Sequence, residues 1–116
     1  MKFRDILGKD RILFNTASAR IRPESEAVLK ALSDAVKACP SMKIEVQGHT
    51  DADGNPASNL DLSNRRAGAV VAALEALGVL PGNLVSKGYG EAQPVAPNDT
   101  PENKAKNRRI DFVVAK

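Results

Sequence analysis

Residues 42–47, MKIEVQ, alternate apolar and polar with a period of two, and a short loop later the apolar period becomes helical. That switch demands a strand followed by a helix lying back on the strand's apolar side. Met42, Ile44 and Val46 share the inward face, and Lys43, Glu45 and Gln47 the outward one. Residues 48–54 form a loop with Asp53-Gly54 as its turn signal. Asn55 and Pro56 then supply an N-cap and a first helical residue. The helix is expected to end near Leu77, with Gly78 as the left-handed residue that closes it.

The same reading extends in both directions. Residues 11–14, RILF, read as a short strand, followed by a loop. Pro23 opens a helix with Glu24 and Glu26 in its positive first turn. Val28, Leu29, Leu32, Ala35 and Val36 recur at helical spacing, and Pro40 stops the run. Residues 84–89 predict a third strand, and 90–100, with Pro94 and Pro97, a loop. Residues 101–106 predict a short helix, and 110–114 a last strand with Ile110, Phe112 and Val114 on one face. The order β-α-β-α-β-(α)-β predicts an α+β fold: a two-layer α/β sandwich, its mixed four-stranded sheet covered by helices on one face.

Composition narrows what such a fold can do. The 116 residues suit a single domain spanning the whole chain, with 1–10 as a lead-in. Aromatics are 3%, so the core is built from Ala, Val, Leu and Ile. The net charge of +3 comes from 17 bases mixed with 14 acids, the pattern of a solvated surface. The densest basic run, Lys104, Lys106, Arg108 and Arg109, has no aromatic interleaved, which argues against nucleic acid. No apolar run approaches the roughly 18 residues of a membrane span. The single Cys39 makes neither a metal site nor an internal disulfide.

The second helix carries polar residues on its inward face. At about 100° per residue, Asn59, Ser63 and Arg66 fall within about 40° of Val70. Ala67, Leu74 and Leu77 continue the same stripe, while Arg65 points to water. An unpartnered guanidinium held out of water costs on the order of several kcal/mol. Asp51, on the loop entering this helix, can reach its first turns. Arg108 shares strand parity with Ile110, so it too is expected inward, at the mouth of the last strand. Arg109 and Asp111 are expected outward. Two arginines and one aspartate fit a zwitterionic amino-acid group, the ammonium on Asp51 and the carboxylate on Arg66 and Arg108.

Three rival readings use the same residues. His49, Asp51 and Asp53 are too few and too loosely spaced for a metal site. Asp51 and Asp53 suggest the paired carboxyls of a glycoside hydrolase, but Asp53 reads as a turn residue. Nearby arginines also favour an ionised carboxyl, the opposite of what a general acid needs. A structural or protein-interaction module, with Asp51 and Arg66 as an internal pair, stays open.

Five words in order, ILF, VQGHTDADG, NLDLSNRRAGAVVAALEALGV, VSKGYGEAQPVAPN and NKAKNRRIDFVV, give the chain its resemblance. From Ile12 to Val114 it resembles the OmpA-like peptidoglycan-binding domain family of porins, Pal lipoproteins and MotB stator proteins. The resemblance implies noncovalent binding of peptidoglycan at the diaminopimelate of its stem peptide, with no enzymatic activity and no cofactor. It implies that Asp51 receives the ligand's ammonium and Arg66 clamps its carboxylate. Asn59 hydrogen-bonds the ligand from the same helix, Arg108 lines the pocket, and Thr16 and Ala17 border it. Peptidoglycan is the implied partner, with no nucleic acid, no membrane insertion by this segment, and a weak homodimer left open. The implied setting is the periplasm, in a segment of a longer exported protein tethered to the outer membrane. Cys39-Pro40 resembles the second half of a cysteine pair that brackets the first helix in some members.

Overall fold

The structure, a computed structural model, describes residues 11–15, 18–39 and 41–114. In chain order its elements are α1 (Glu26–Lys37), β1 (Ile44–His49), α2 (Pro56–Ala76), β2 (Leu84–Gly90), α3 (Pro101–Asn107) and β3 (Arg109–Val114). Short 3-10 turns precede α1 at Pro23–Ser25 and β2 at Pro81–Asn83.

The sheet order is β2-β1-β3. β1 pairs parallel with β2 and antiparallel with β3, so the sheet is mixed. α2 crosses over between the two parallel strands and packs on both, and α1 packs on α2. One core results, in which Leu32, Ile44, Val46, Ala67, Val70 and Leu74 are completely buried. Burial of a large aliphatic side chain of this kind contributes about 2–3 kcal/mol.

Three strands, not four, make the sheet among the described residues. The expected strand at residues 11–14 makes a single bridge, Phe14 to Ile21, and does not join it. Its backbone is engaged locally. The Leu13 N–H donates to Ser25 Oγ at 2.7 Å, and the Leu13 carbonyl accepts from the Arg22 N–H at 2.8 Å. The Asn15 N–H donates to the Arg20 carbonyl at 3.0 Å. Ile12 still reaches the core, which is why its segment reads as a strand in sequence.

Helix α2 begins and ends as its local residues dictate. Asn55 Oδ1 accepts from the N–H groups of Ala57 and Ser58 at 2.8 and 3.2 Å. At the other end Gly78 has φ 102°, and Val79 and Gly78 donate to the carbonyls of Leu74 and Glu75 at 3.1 and 2.9 Å. That is the paired closure of a Schellman motif. Leu77, expected in the core stripe, sits at the cap and is 40% exposed.

Candidate functional site

Asp51 stands where β1 leaves the sheet. The Thr50 N–H still donates to the Gly90 carbonyl at 2.8 Å, and Thr50 Oγ1 donates to the Asp51 carbonyl at 2.8 Å. These bonds fix the Asp51 backbone while its side chain turns inward, 10% exposed. One carboxylate oxygen accepts from the Asp53 N–H at 3.0 Å, closing an Asx turn. The other accepts from Arg108 Nη1 at 2.6 Å.

The polar half of α2 divides into two jobs. Ser63 and Asn64 face glycines: a Cβ on Gly48 would lie 2.2 Å from the Ser63 carbonyl oxygen, and one on Gly88 2.4 Å from the Asn64 nitrogen. The helix therefore rests backbone-close on β1 and β2. Ser63 Oγ accepts from the Gly90 N–H at 2.9 Å, and Asn64 Oδ1 from the Gly88 N–H at 2.7 Å. Ser63 is thus inward for packing, not for a ligand. Asn59 and Arg66 instead face the cleft in front of Asp51. Asn59 Nδ2 donates to the Asp53 carbonyl at 2.8 Å and to the Asp51 carbonyl at 3.4 Å, bracing the loop.

Arg66 does not pair with Asp51. Its Nε donates to the Ser18 carbonyl at 2.8 Å, its Nη2 reaches the Asn15 carbonyl at 3.4 Å, and its guanidinium lies 4.9 Å from the Phe14 ring centre. Among the described residues no carboxylate lies within ion-pair distance of it. Burial lowers its pKa, and the nearby Arg108 charge adds to that, against the opposing pull of Asp51. Arg66 remains a cation, since its ordinary pKa is far above neutrality.

Arg108 enters from α3. Thr100 caps that helix through the Asn103 N–H, and Arg108 is its C-cap, just ahead of β3. Arg11 seals the same helix end, donating through Nη2 to the carbonyls of Ala105 and Arg108 at 2.8 and 2.9 Å. Lys104 pairs with Asp53 at 3.0 Å on the rim. Asn107, fully buried, holds the preceding loop through Val95, Ala96 and Asn98. Asn98 in turn accepts from the Ala52 N–H at 3.2 Å, tying that loop to the site.

Together these groups line an open cleft of about 590 Å³, with Asp51, Asn59, Arg66 and Arg108 on its walls and Phe14 and Leu62 as apolar surface. Four of the expected site residues are therefore brought together. Thr16 and Ala17 lie outside the described residues. Arg11, Phe14 and Lys104 stand outside the set of site residues that the sequence predicts. Phe14 lies in the ILF word, but nothing local in the sequence points Arg11 to α3. The outward expectation for Arg109 and Asp111 corresponds to the opposite sheet face, where they bond to each other at 2.9 Å beside His49. His49 stacks on Tyr89 there, its Nε2 3.2 Å from Gln47 Oε1. Among the described residues no cluster of three metal-binding side chains occurs.

The chain matches the OmpA family over residues 13–108. The chain belongs to that family. Among its relatives, the peptidoglycan-binding protein ArfA of Mycobacterium tuberculosis is 38% identical over 103 residues, covering 89% of this chain and 32% of ArfA. Outer membrane porin F of Pseudomonas aeruginosa is 42% identical over 104 residues, covering 89% of this chain and 30% of the porin. The chain thus spans about a third of the length of these relatives. Among solved structures, the peptidoglycan-associated lipoprotein from Burkholderia pseudomallei matches with a TM-score of 0.84 at 33% identity, covering 95% of this chain and 93% of that one. The C-terminal domain of Helicobacter pylori MotB matches with a TM-score of 0.83 at 29% identity, covering 92% and 84%. No helix among the described residues is long and apolar enough to cross a membrane.

Proposed function

We propose that this OmpA-family domain binds peptidoglycan noncovalently, without catalysis, by gripping the free amino-acid centre of diaminopimelate in the stem peptide. The observation that carries the reading is Arg66: a guanidinium on the wall of an open cleft, touching two carbonyls and a ring but no carboxylate among the described residues. A partly desolvated cation of this kind favours an incoming carboxylate, and its planar fork can take both oxygens. Asp51 in the same cleft offers the ammonium its counter-charge. The names of ArfA and of the peptidoglycan-associated lipoprotein support the choice of polymer. On this reading the parent protein holds its envelope location, the periplasm beneath an outer membrane, by gripping the wall.

The Asp51–Arg108 bond favours a second reading, in which the charged cleft is internal glue for an interaction module. Two experiments separate the readings. The first titrates the domain with the tripeptide L-Ala-γ-D-Glu-meso-diaminopimelate and with its counterpart carrying lysine at the third position. Only the former has a free carboxylate on the carbon that bears its third residue's side-chain ammonium. Preferential binding of the diaminopimelate peptide, with a Kd between about 1 mM and 1 μM, is expected. Equal affinity for the two peptides removes the carboxylate clamp. The second sediments Asp51→Ala/Arg66→Ala with purified sacculi: glue predicts lost stability, a clamp predicts a folded domain left in the supernatant. Release of soluble wall fragments by the wild type would replace binding with hydrolysis.

A further inference from the structure

Asp51 is not waiting empty for an ammonium. One of its oxygens is held by its own loop, and the other by Arg108 at 2.6 Å. Any ligand cation must therefore displace a cation the protein already supplies. We infer that Arg108 is a built-in competitor, and that the site admits only ligands that bring it a new anion in exchange.

The inference rests on the peptidoglycan reading and deepens it. The geometry separates a fixed backbone from a free side-chain end. The Arg108 carbonyl is anchored by Arg11 at 2.9 Å and its N–H by the Lys104 carbonyl at 3.2 Å. Its side chain is 46% exposed, against 10% for Asp51. The arginine can therefore swing while the aspartate stays, because the arginine's side chain is much the more exposed and Asp51 is also held by its own loop.

Charge decides what happens next. Displaced from Asp51, Arg108 remains in the same cleft as Arg66, another cation without a carboxylate partner among the described residues. A ligand with only an ammonium swaps one cation for another on Asp51 and leaves two guanidinium groups uncompensated. A zwitterionic centre delivers a carboxylate to those groups as its ammonium takes Asp51. Net pairing improves only in the second case. The competitor is tethered beside Asp51 at 2.6 Å, so a cation that binds a bare carboxylate weakly always meets it there. Discrimination thus comes from a repulsive device as well as an attractive one.

The test compares the same two tripeptides on the wild-type domain, Arg108→Ala and Arg108→Gln by calorimetric titration, with circular dichroism to establish folding. For the wild type, the diaminopimelate peptide binds and the lysine peptide does not. In the variants, affinity for the lysine peptide rises by about tenfold or more, the lower end of what a close charge pair is worth, while affinity for the diaminopimelate peptide falls. The discrimination ratio collapses from both sides. If wild type binds the diaminopimelate peptide but neither folded variant gains affinity for the lysine peptide, Arg108 is an ordinary contact and the inference is overturned. If wild type binds neither peptide, the functional reading itself fails. Side-chain NMR of the wild type removes dependence on the variants folding: the Arg108 Nε–Hε resonance must move on adding the diaminopimelate peptide and stay put with the lysine peptide. A resonance unmoved by a bound diaminopimelate peptide also sinks the exchange.

Discussion

The two ends of helix α2 face inward by the same geometry yet do opposite things. At the C-terminal end Ala67, Val70 and Leu74 are fully buried and touch only the core. At the N-terminal end Asn59 and Arg66 open onto a cleft, and Ser63 between them is as buried as Leu74 but bonded to a strand. An inward polar residue is therefore not by itself a site residue. Ser63 became a packing device because Gly48 and Gly88 let the helix backbone come close. Arg66 became a site candidate because it lines the open cleft and meets no carboxylate among the described residues.

Cutting the apolar end should have the largest effect. Leu74→Ala should cost about 3 kcal/mol of stability, from lost burial and the cavity left behind. Its folded fraction should keep full affinity for the diaminopimelate peptide, as read by chemical denaturation alongside peptide titration. A comparable loss of affinity would mean the two ends are one unit.

Arg66→Ala should reverse that pattern. Affinity for the peptide should fall by about 2 kcal/mol, the penalty for removing one partner of a charge pair. Stability should change by less than about 1 kcal/mol, since the side chain's bonds are to backbone carbonyls and a ring. Should this variant unfold as readily as Leu74→Ala, the polar end is core under another guise.

The smallest effect is a pH dependence that belongs to neither end. His49, under the opposite sheet face, has its pKa lowered by burial and then by Arg109, with Asp111 opposing. The unfolded chain therefore binds a proton more readily than the folded one. Stability is complete above the ordinary histidine range near 6.5 and is lost as pH falls through it. Melting temperatures between pH 8 and pH 5 should decline accordingly, and His49→Gln should flatten the decline. Peptide affinity should show no step of its own in that window. A matching step in affinity would couple the far face to the cleft.

Much of this was legible beforehand, for a physical reason that varies by residue. Asn55, Pro56 and Gly78 placed the ends of α2 because caps are satisfied within a few residues of chain. Ile44 and Val46 placed the core face of β1 because strand parity is local. Residues 11–14 read as a strand because the run ILF is apolar, but an apolar run does not say which backbone a segment pairs with. Asn59 and Arg66 were legible through helix phase, Arg108 through strand parity and Asp51 through its place on the loop entering α2, reinforced by the family resemblance.

Their pairing was not. The residues themselves determined that one loop aspartate and two arginines would share a concavity at the end of the sheet. Only the tertiary structure decided that Arg108, 57 positions away, takes the aspartate while Arg66, on the adjoining helix, bonds to the Ser18 carbonyl instead. Arg11, 94 positions from the carbonyl of Ala105, was assigned its place in the same way. Charge attraction is set by distance in space, and the order β2-β1-β3, which lays α3 and β3 beside the Asp51 loop, sets those distances.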